Sequence, residues 1–442
     1  MINKILTLIL VIASMLLLIH LGLGETQKNC PALVLGLILL AAYCFGFLLE
    51  KIGLPRIVGY ILAGLFMGPF FLKLYTLQEV NSLAFINKLA LAFIAFCAGG
   101  ELRLVNIRKV LKSIVYYISG VTIVVFIGTT SIVFLLSNAM PFMSDFSPTL
   151  RLAVSAIFGT IAVARSPSSA IAIISETKSK GPYTDIVLSV SVAMDVFIII
   201  LFAVVISLVQ IFIKGQGGLN FSLVFSLLFE ISAAFLLGFL LGKLIVFLIE
   251  KIHMEFPVVI IAMGFIVIEF SHLLGDYLQQ VHDIRLELEP LLICMAAGFT
   301  VQNFSKQGEI FLQRMDRVSL PIYIAFFAMT GAAMNLKVLR TGWLLGLVVF
   351  VVRLISIYVG SFVSGRLAKN QPKIYKNVWL GFITQAGVSL GLLSEVARRF
   401  PEIGPSIQTI LVAAIIMNQI IGPIAFKYGL KKAGETQAQR SS

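Results

Sequence analysis

The 442-residue sequence predicts an all-α polytopic membrane protein with 13–14 transmembrane helices, arranged as two inverted six-helix repeats. Three observations lead there. Charged residues make up 12% of the chain, about half of the roughly 25% carried by a soluble domain. Apolar runs recur at the length of about 20 residues that crosses a bilayer. Two of those runs are interrupted by polar residues at corresponding places in the two halves of the chain.

The apolar runs fall at 2–23, 31–50, 56–74, 83–99, 112–137, 150–175, 184–212, 221–249, 256–279, 288–304, 318–334, 341–365, 377–397 and 406–426. The first has Lys4 ahead of its apolar stretch and Gly22-Leu23-Gly24 after it. It reads either as an uncleaved helix or as a signal peptide; without it, thirteen helices remain in the same orientation. The expected organisation is an N-terminal helix in 1–30, a first repeat in 31–213, a linker helix in 214–255, a second repeat in 256–428 and a short tail in 429–442.

Charge fixes the orientation. With the N-terminus in the cytoplasm and the runs alternating, inside loops hold about 20 Lys and Arg against about 7 outside. The net charge of +13 is therefore read as topology and not as a nucleic-acid surface. The expectation is a multi-pass protein of the cell (inner) membrane with a cytoplasmic C-terminus and lipid as its surroundings. Cys44, Cys97 and Cys294 lie in apolar runs, Cys30 just ahead of one, and no CxxC pair is present; they read as small buried hydrophobes. His20, His253, His272 and His282 form no HExxH, and neither GxSxG nor GxxxxGK[ST] occurs. No enzyme and no cofactor are expected.

The interruptions point to function. Ala164-Arg165-Ser166-Pro167-Ser168-Ser169 breaks one run and Thr384-Gln385-Ala386-Gly387-Val388-Ser389-Leu390-Gly391 another. Each falls in the fifth helix of its repeat. An odd linker helix makes the repeats inverted, and paired broken helices mark a midplane binding site. Pro167 removes a backbone donor, while Gly387 and Gly391 permit unwinding. The carbonyls freed at such breaks are candidate cation ligands, with neutral oxygens from Thr160, Ser166, Ser168, Ser169, Gln385 and Ser389. The alternative for each hydroxyl is packing between helices.

An ionisable side chain at mid-membrane depth is costly and usually functional. Asp195, in an otherwise apolar run, can hold a proton or a desolvated alkali cation, and this competition is the simplest basis for exchange. Arg353 keeps its charge when buried and needs an acceptor, either Asp195 or the carbonyls of the breaks. Arg165 is the unexpected residue: it pairs with Asp195, caps carbonyls, or lies at the cytoplasmic mouth. Glu101, Glu230, Glu269, His272, Asp276, Glu289 and Glu395 lie in or beside apolar runs and are read as interfacial or internally paired.

Several segments resemble the bacterial monovalent cation:proton antiporters of the sodium/proton exchanger superfamily. Gly59-Tyr60-Ile61-Leu62-Ala63-Gly64-Leu65-Phe66-Met67-Gly68-Pro69 is similar to that family's GYxxAGxxxGP, and Gly100-Glu101-Leu102 to its GLEL segment. Phe326-Phe327-Ala328-Met329-Thr330-Gly331 resembles FFxxxG, Gln385-Ala386-Gly387-Val388-Ser389-Leu390-Gly391 resembles QGGVALG, and Asn418-Gln419-Ile420-Ile421-Gly422-Pro423 resembles NELIGP. The resemblance implies a dimerisation domain, hence a homodimer, and a mobile core domain in which two interrupted helices cross beside an ion-binding aspartate. It implies an elevator-like movement. By position Asp195 matches that aspartate, the site of the transported alkali metal cation, and Arg353 the family's basic residue.

Two departures matter. Met194 stands where the family often has Asp or Asn before the aspartate; one carboxylate carrying one charge at a time suggests one-for-one, electroneutral exchange of Na+ or K+ for H+. Arg165 stands where the family usually has a small hydroxyl residue. It sustains an alternative, an anion or small-organic-acid transporter on the same fold with Arg165 as the binding cation. A non-transporting sensor is a third reading, opposed by the presence of Asp195, Arg353 and both breaks together.

Overall fold

The computed structural model describes residues 13, 31–214, 221–282, 288–334 and 336–437. Apart from residue 13, the run at 2–23 lies outside them, and so does Cys30. Among the described residues every regular element is helical, because a backbone in hydrocarbon must satisfy its polar groups within its own segment.

The α-helices are α1 (Pro31–Lys51), α2 (Arg56–Met67), α3 (Leu77–Ser82), α4 (Ala84–Glu101), α5 (Leu104–Leu136), α6 (Pro148–Val163), α7 (Pro167–Thr177) and α8 (Pro182–Lys214). They continue with α9 (Phe221–Lys251), α10 (Phe256–His282), α11 (Pro290–Phe304), α12 (Gly308–Ala332), α13 (Leu336–Leu367), α14 (Pro372–Tyr375), α15 (Gly387–Arg399) and α16 (Gly404–Ala433). Proline opens α1, α6, α7, α8, α11 and α14, where its fixed φ suits the first turn and its missing N–H costs nothing.

Nine spans among the described residues are long and apolar enough to cross a membrane. The runs expected at 56–74 and 288–304 appear as shorter apolar helices, α2 and α11. The polar start of α12, with Arg314, Asp316 and Arg317, lowers its hydropathy. The broken span Pro148–Thr177 is the most enclosed, with 89% of its most apolar window buried, against 22% for Phe229–Lys251 in α9.

The chain forms two compact units, each drawing on both halves of the sequence. The first contains the described residues of Met1–Glu101, Phe235–Asp283 and Glu289–Lys337. Glycines set its helix crossings. A Cβ on Gly64 of α2 would run into the carbonyl of Ala328, and one on Gly331 of α12 into that of Ile61. Gly99 of α4 and Gly298 of α11 make the same reciprocal crossing, against Met295 and Phe96. Lipid offers little hydrophobic drive between helices, so this close backbone approach supplies the contact energy. Cys44, Cys97 and Cys294 are buried and outside any disulfide among the described residues.

The second unit contains the described residues of Leu102–Ala234, Ile284–Leu288 and Val338–Ser442. Its apolar core joins Val133, Phe158, Ile161, Phe202, Phe350, Leu393 and Leu411, from α5, α6, α8, α13, α15 and α16. Both helix breaks lie in this unit. The first separates α6 from α7 at residues 164–166; Pro167 disfavours helical backbone at Ser166, which is extended at φ −113° and ψ 100°. The second follows a 3-10 turn at Val378–Phe382 and occupies 383–386 before α15 begins.

Candidate ion-binding site

The two breaks are joined by their backbones: the Ser166 amide donates to the Thr384 carbonyl at 3.0 Å. Gly422 of α16 makes room for this crossing, since a Cβ there would lie 2.9 Å from Thr384 Cα.

Arg353 gathers the carbonyls left by both breaks. Its side chain is 1% exposed. Nε donates to the Ala162 carbonyl at 2.7 Å, Nη2 to Ala164 at 3.0 Å and Phe382 at 3.4 Å, and Nη1 to Ile383 at 2.7 Å. Nη1 also donates to Asn418 Oδ1 at 2.9 Å. Of the two acceptors open to Arg353 from sequence, the carbonyls take these bonds. The negative ends of two helical segments face one fixed positive charge, as the helix dipole favours.

A chain of amides extends this arrangement. Asn418 Nδ2 donates to Gln385 Oε1 at 2.8 Å and to Ala414 O at 2.9 Å, and Gln385 Nε2 donates to Ile161 O at 2.8 Å. Gln385, expected among the cation ligands, therefore has both ends of its amide engaged by protein. The carbonyls of Ile161, Ala162, Ala164, Phe382, Ile383 and Thr384 each accept a protein donor. Asn418, in the segment Asn418-Gln419-Ile420-Ile421-Gly422-Pro423, is not among the residues that the sequence assigns to the site. The signal that could have found it is a carboxamide in the middle of an apolar run.

The hydroxyls divide into two kinds. Thr160 Oγ1 donates to Ala156 O of its own helix at 2.8 Å. Ser166 Oγ caps α7 by accepting from the Ser169 amide at 3.3 Å, and lies 3.0 Å from both Ser168 Oγ and Ser169 Oγ. Ser389 is fully buried, and its hydroxyl has no hydrogen-bond partner among the described residues. Gly387 opens α15. Gly391 does not belong to the break as expected: it sits inside α15, exposed, where a Cβ would meet nothing within 4 Å. The unwinding is completed upstream, between the 3-10 turn and Gly387.

Arg165 is buried, 2% exposed, with its guanidinium carbon 4.1 Å from the centre of the Phe382 ring. Phe382 thus presents its face to Arg165 and its carbonyl to Arg353. The Nε and Nη1 atoms of Arg165 meet no acceptor among the described residues.

Asp195 is half-buried on α8, and α5 measures its depth. Thr122 Oγ1 of α5 donates to Met194 Sδ at 3.6 Å, while Thr130 of α5 lies against Gly159 of α6. The step of eight positions from Thr122 to Thr130 spans about 12 Å at about 1.5 Å per residue. Consecutive spans joined by short loops run antiparallel, so Ala164 lies about 7.5 Å from Gly159 back toward Thr122. Asp195, one residue past Met194, therefore falls within about one helical turn of the break in depth. Among the other acidic residues, Glu101, Glu269, Asp276 and Glu289 are exposed, and Glu395 pairs with Arg398 and Arg399.

An all-helical multi-pass protein with two broken helices tied together at their breaks, and a carboxylate at that depth, has the architecture of a secondary transporter. The chain belongs to the sodium/hydrogen exchanger family, whose transmembrane profile matches residues 36–432. It is 24% identical over 391 residues to the "Probable Na(+)/H(+) antiporter 3" of Methanocaldococcus jannaschii, covering 86% of this chain and 92% of that one. Two structures of the sodium proton antiporter MjNhaP1 from the same organism share its fold. One, determined at pH 8, has a TM-score of 0.62 at 18% identity, covering 91% of this chain and 96% of that one. The other, an electron-microscopy structure, has a TM-score of 0.69 at 20% identity, covering 89% and 94%.

Proposed function

We propose that this chain exchanges a monovalent cation, Na+ or K+, for H+, with Asp195 binding the two alternately. The observation that carries this reading is the carboxylate at the depth of paired helix breaks. The names of the relatives point to Na+ as one cargo. A desolvated carboxylate favours any partner that neutralises it, so proton and alkali cation exclude one another. Met194 beside it brings no second ionisable group, and one carboxylate releasing one charge for another makes the exchange electroneutral. With the break carbonyls engaged by Arg353 and Gln385, the neutral ligands fall to the hydroxyls of Ser166, Ser168 and Ser389. The protein works as a homodimer in the cell (inner) membrane, C-terminus cytoplasmic, by an elevator-like movement of the second unit. Liposomes loaded with a pH dye test this. A cation gradient should drive proton movement that is insensitive to membrane potential and absent in Asp195→Asn; normal exchange in that variant sinks the proposal.

One observation favours a second reading. A buried guanidinium with unengaged Nε and Nη1 is a ready anion site, so transport of a carboxylate or inorganic anion at Arg165 is the alternative. It requires carboxylate uptake that is lost in Arg165→Ala and indifferent to Na+ and K+.

A further inference from the structure

The N-terminus of α8, the helix that carries Asp195, is capped from the far end of the chain. A helix leaves its first amides without intrahelical partners. In α8 the first residue is Pro182, which has no N–H, so two amides remain, those of Tyr183 and Thr184; the next, Asp185, donates to Gly181 O at 2.9 Å. One carboxylate takes both. Glu435 Oε1 accepts from Tyr183 N at 2.7 Å, and Oε2 accepts from Thr184 N at 2.8 Å and Thr184 Oγ1 at 2.7 Å. The Lys180 amide also donates to the Glu435 carbonyl at 3.2 Å.

The surroundings are shaped to this contact. Gly181 stands at the usual capping position with no side chain and a φ of 151°, and a Cβ there would collide with the Glu435 carboxylate. Gly434, at φ 77°, ends α16 and turns the chain so that Glu435 faces α8. Glu435 is 8% exposed. Tyr183 is fixed again by stacking on Phe426 of α16 and by donating its hydroxyl to Asn377 O at 3.1 Å. A negative group at a helix N-terminus is also where the dipole favours it.

We propose that Glu435 is a positioning residue for transport: by capping α8 it sets the axial position and rotation of that helix, and with them the placement of Asp195. The carboxylate at Asp195 lies eleven residues from Thr184, about three turns or 16 Å along a continuous helix. A slip at the cap is carried along that rod to the ion site. The functional half of this inference rests on Asp195 as the exchange site; the clasp itself does not.

The test uses the full-length chain in liposomes, with Glu435→Ala and Glu435→Gln, alongside hydrogen–deuterium exchange. The amides of Tyr183 and Thr184 should exchange faster in both variants, and so should the segment around Asp195. The apparent KM for Na+ should rise about tenfold in Glu435→Ala, a fraction of the hundredfold loss that a misplacement of about 1 Å can cause. Glu435→Gln, which keeps an acceptor but not the charge, should fall between Ala and the parent. A protein with a lower melting temperature but unchanged KM and pH profile would make Glu435 merely structural and overturn the proposal. Unchanged exchange at Tyr183 and Thr184 would overturn it as well. Should Asp195→Asn transport normally, the ion-site reading fails, while the exchange data on the clasp still stand or fall alone. If Glu435→Ala does not insert, Glu435→Gln carries the same comparison.

Discussion

Ser166 and Thr384, more than two hundred residues apart in sequence, are joined by a backbone hydrogen bond of 3.0 Å between the two broken segments. Neither segment can be satisfied alone, because each leaves carbonyls without helical donors inside a membrane protein. The crossing bond, Arg353 and the Gln385–Asn418 pair together supply those donors. The site is therefore a scaffold first, and its chemistry is what the scaffold leaves over.

Arg353→Ala should lose the fold before it loses selectivity. Its guanidinium serves four backbone carbonyls and Asn418, and each buried acceptor left unsatisfied costs about 1–3 kcal/mol. A drop in melting temperature of the detergent-purified protein should accompany loss of transport. Arg353→Lys should rescue little, since an ammonium has three donors at one point and cannot span both breaks. Full stability of the lysine variant would contradict this account.

Ser389→Ala and Ser166→Ala should separate ligation from packing. Ser166 caps α7, so its loss should cost about 1 kcal/mol of stability. The Ser389 hydroxyl engages no protein group among the described residues, so its removal should leave the melting temperature unchanged or raised. If Ser389 ligates the cation, the apparent KM should still rise in Ser389→Ala. An unchanged KM would assign the hydroxyl to packing space alone.

Gln385→Met should behave as a stability variant. The amide bridges Ile161 O and Asn418, and leaving those groups unpaired should cost about 2 kcal/mol. Folded protein that survives should keep the parental KM for cation. A large change in KM with unchanged stability would return Gln385 to the ligand set.

Gly64→Ala and Gly331→Ala should each disrupt the first unit without touching the ion site. Both glycines sit in segments that resemble family motifs, yet their neighbours are the backbones of Ala328 and Ile61. A methyl group cannot fit there without moving a helix. Reduced yield and melting temperature are expected, with unchanged cation affinity in whatever folds.

Much of this was readable in the residues. Hydropathy placed the helices, Pro167 placed one break, and an arginine within an apolar run announced a buried charge needing acceptors. Periodicity could not show which acceptors it would choose, because they come from other segments, some about thirty positions away and others nearly two hundred. Gly391 looked like part of the second break because glycine permits unwinding, but permission is not cause: the helix resumes at Gly387. Asn418 stood out as a carboxamide in an apolar run, but Glu435 had no such signal. One acidic residue in a polar tail carries no local pattern, and its partners, two amides of a distant helix, leave no mark in side-chain identity.

Arg165 offers the sharpest test of the electrostatics. Its guanidinium rests on Phe382, a contact worth about 0.5–2 kcal/mol, while burial of a charge with unengaged donors costs several. Arg165→Gln should therefore not destabilise the protein, and its melting temperature should hold or rise. The functional effect follows from sign. A fixed positive charge within Coulombic reach of Asp195 opposes a cation there, and removing it favours cation binding. The apparent KM for Na+ should then fall in Arg165→Gln. Liposome assays for Arg165→Gln, Arg165→Lys and the parent measure this directly. The lysine variant should keep the parental KM, because it keeps the charge. A KM that follows side-chain size and not charge would mean that Arg165 fills the crossing against Phe382 and has no electrostatic influence on the ion site.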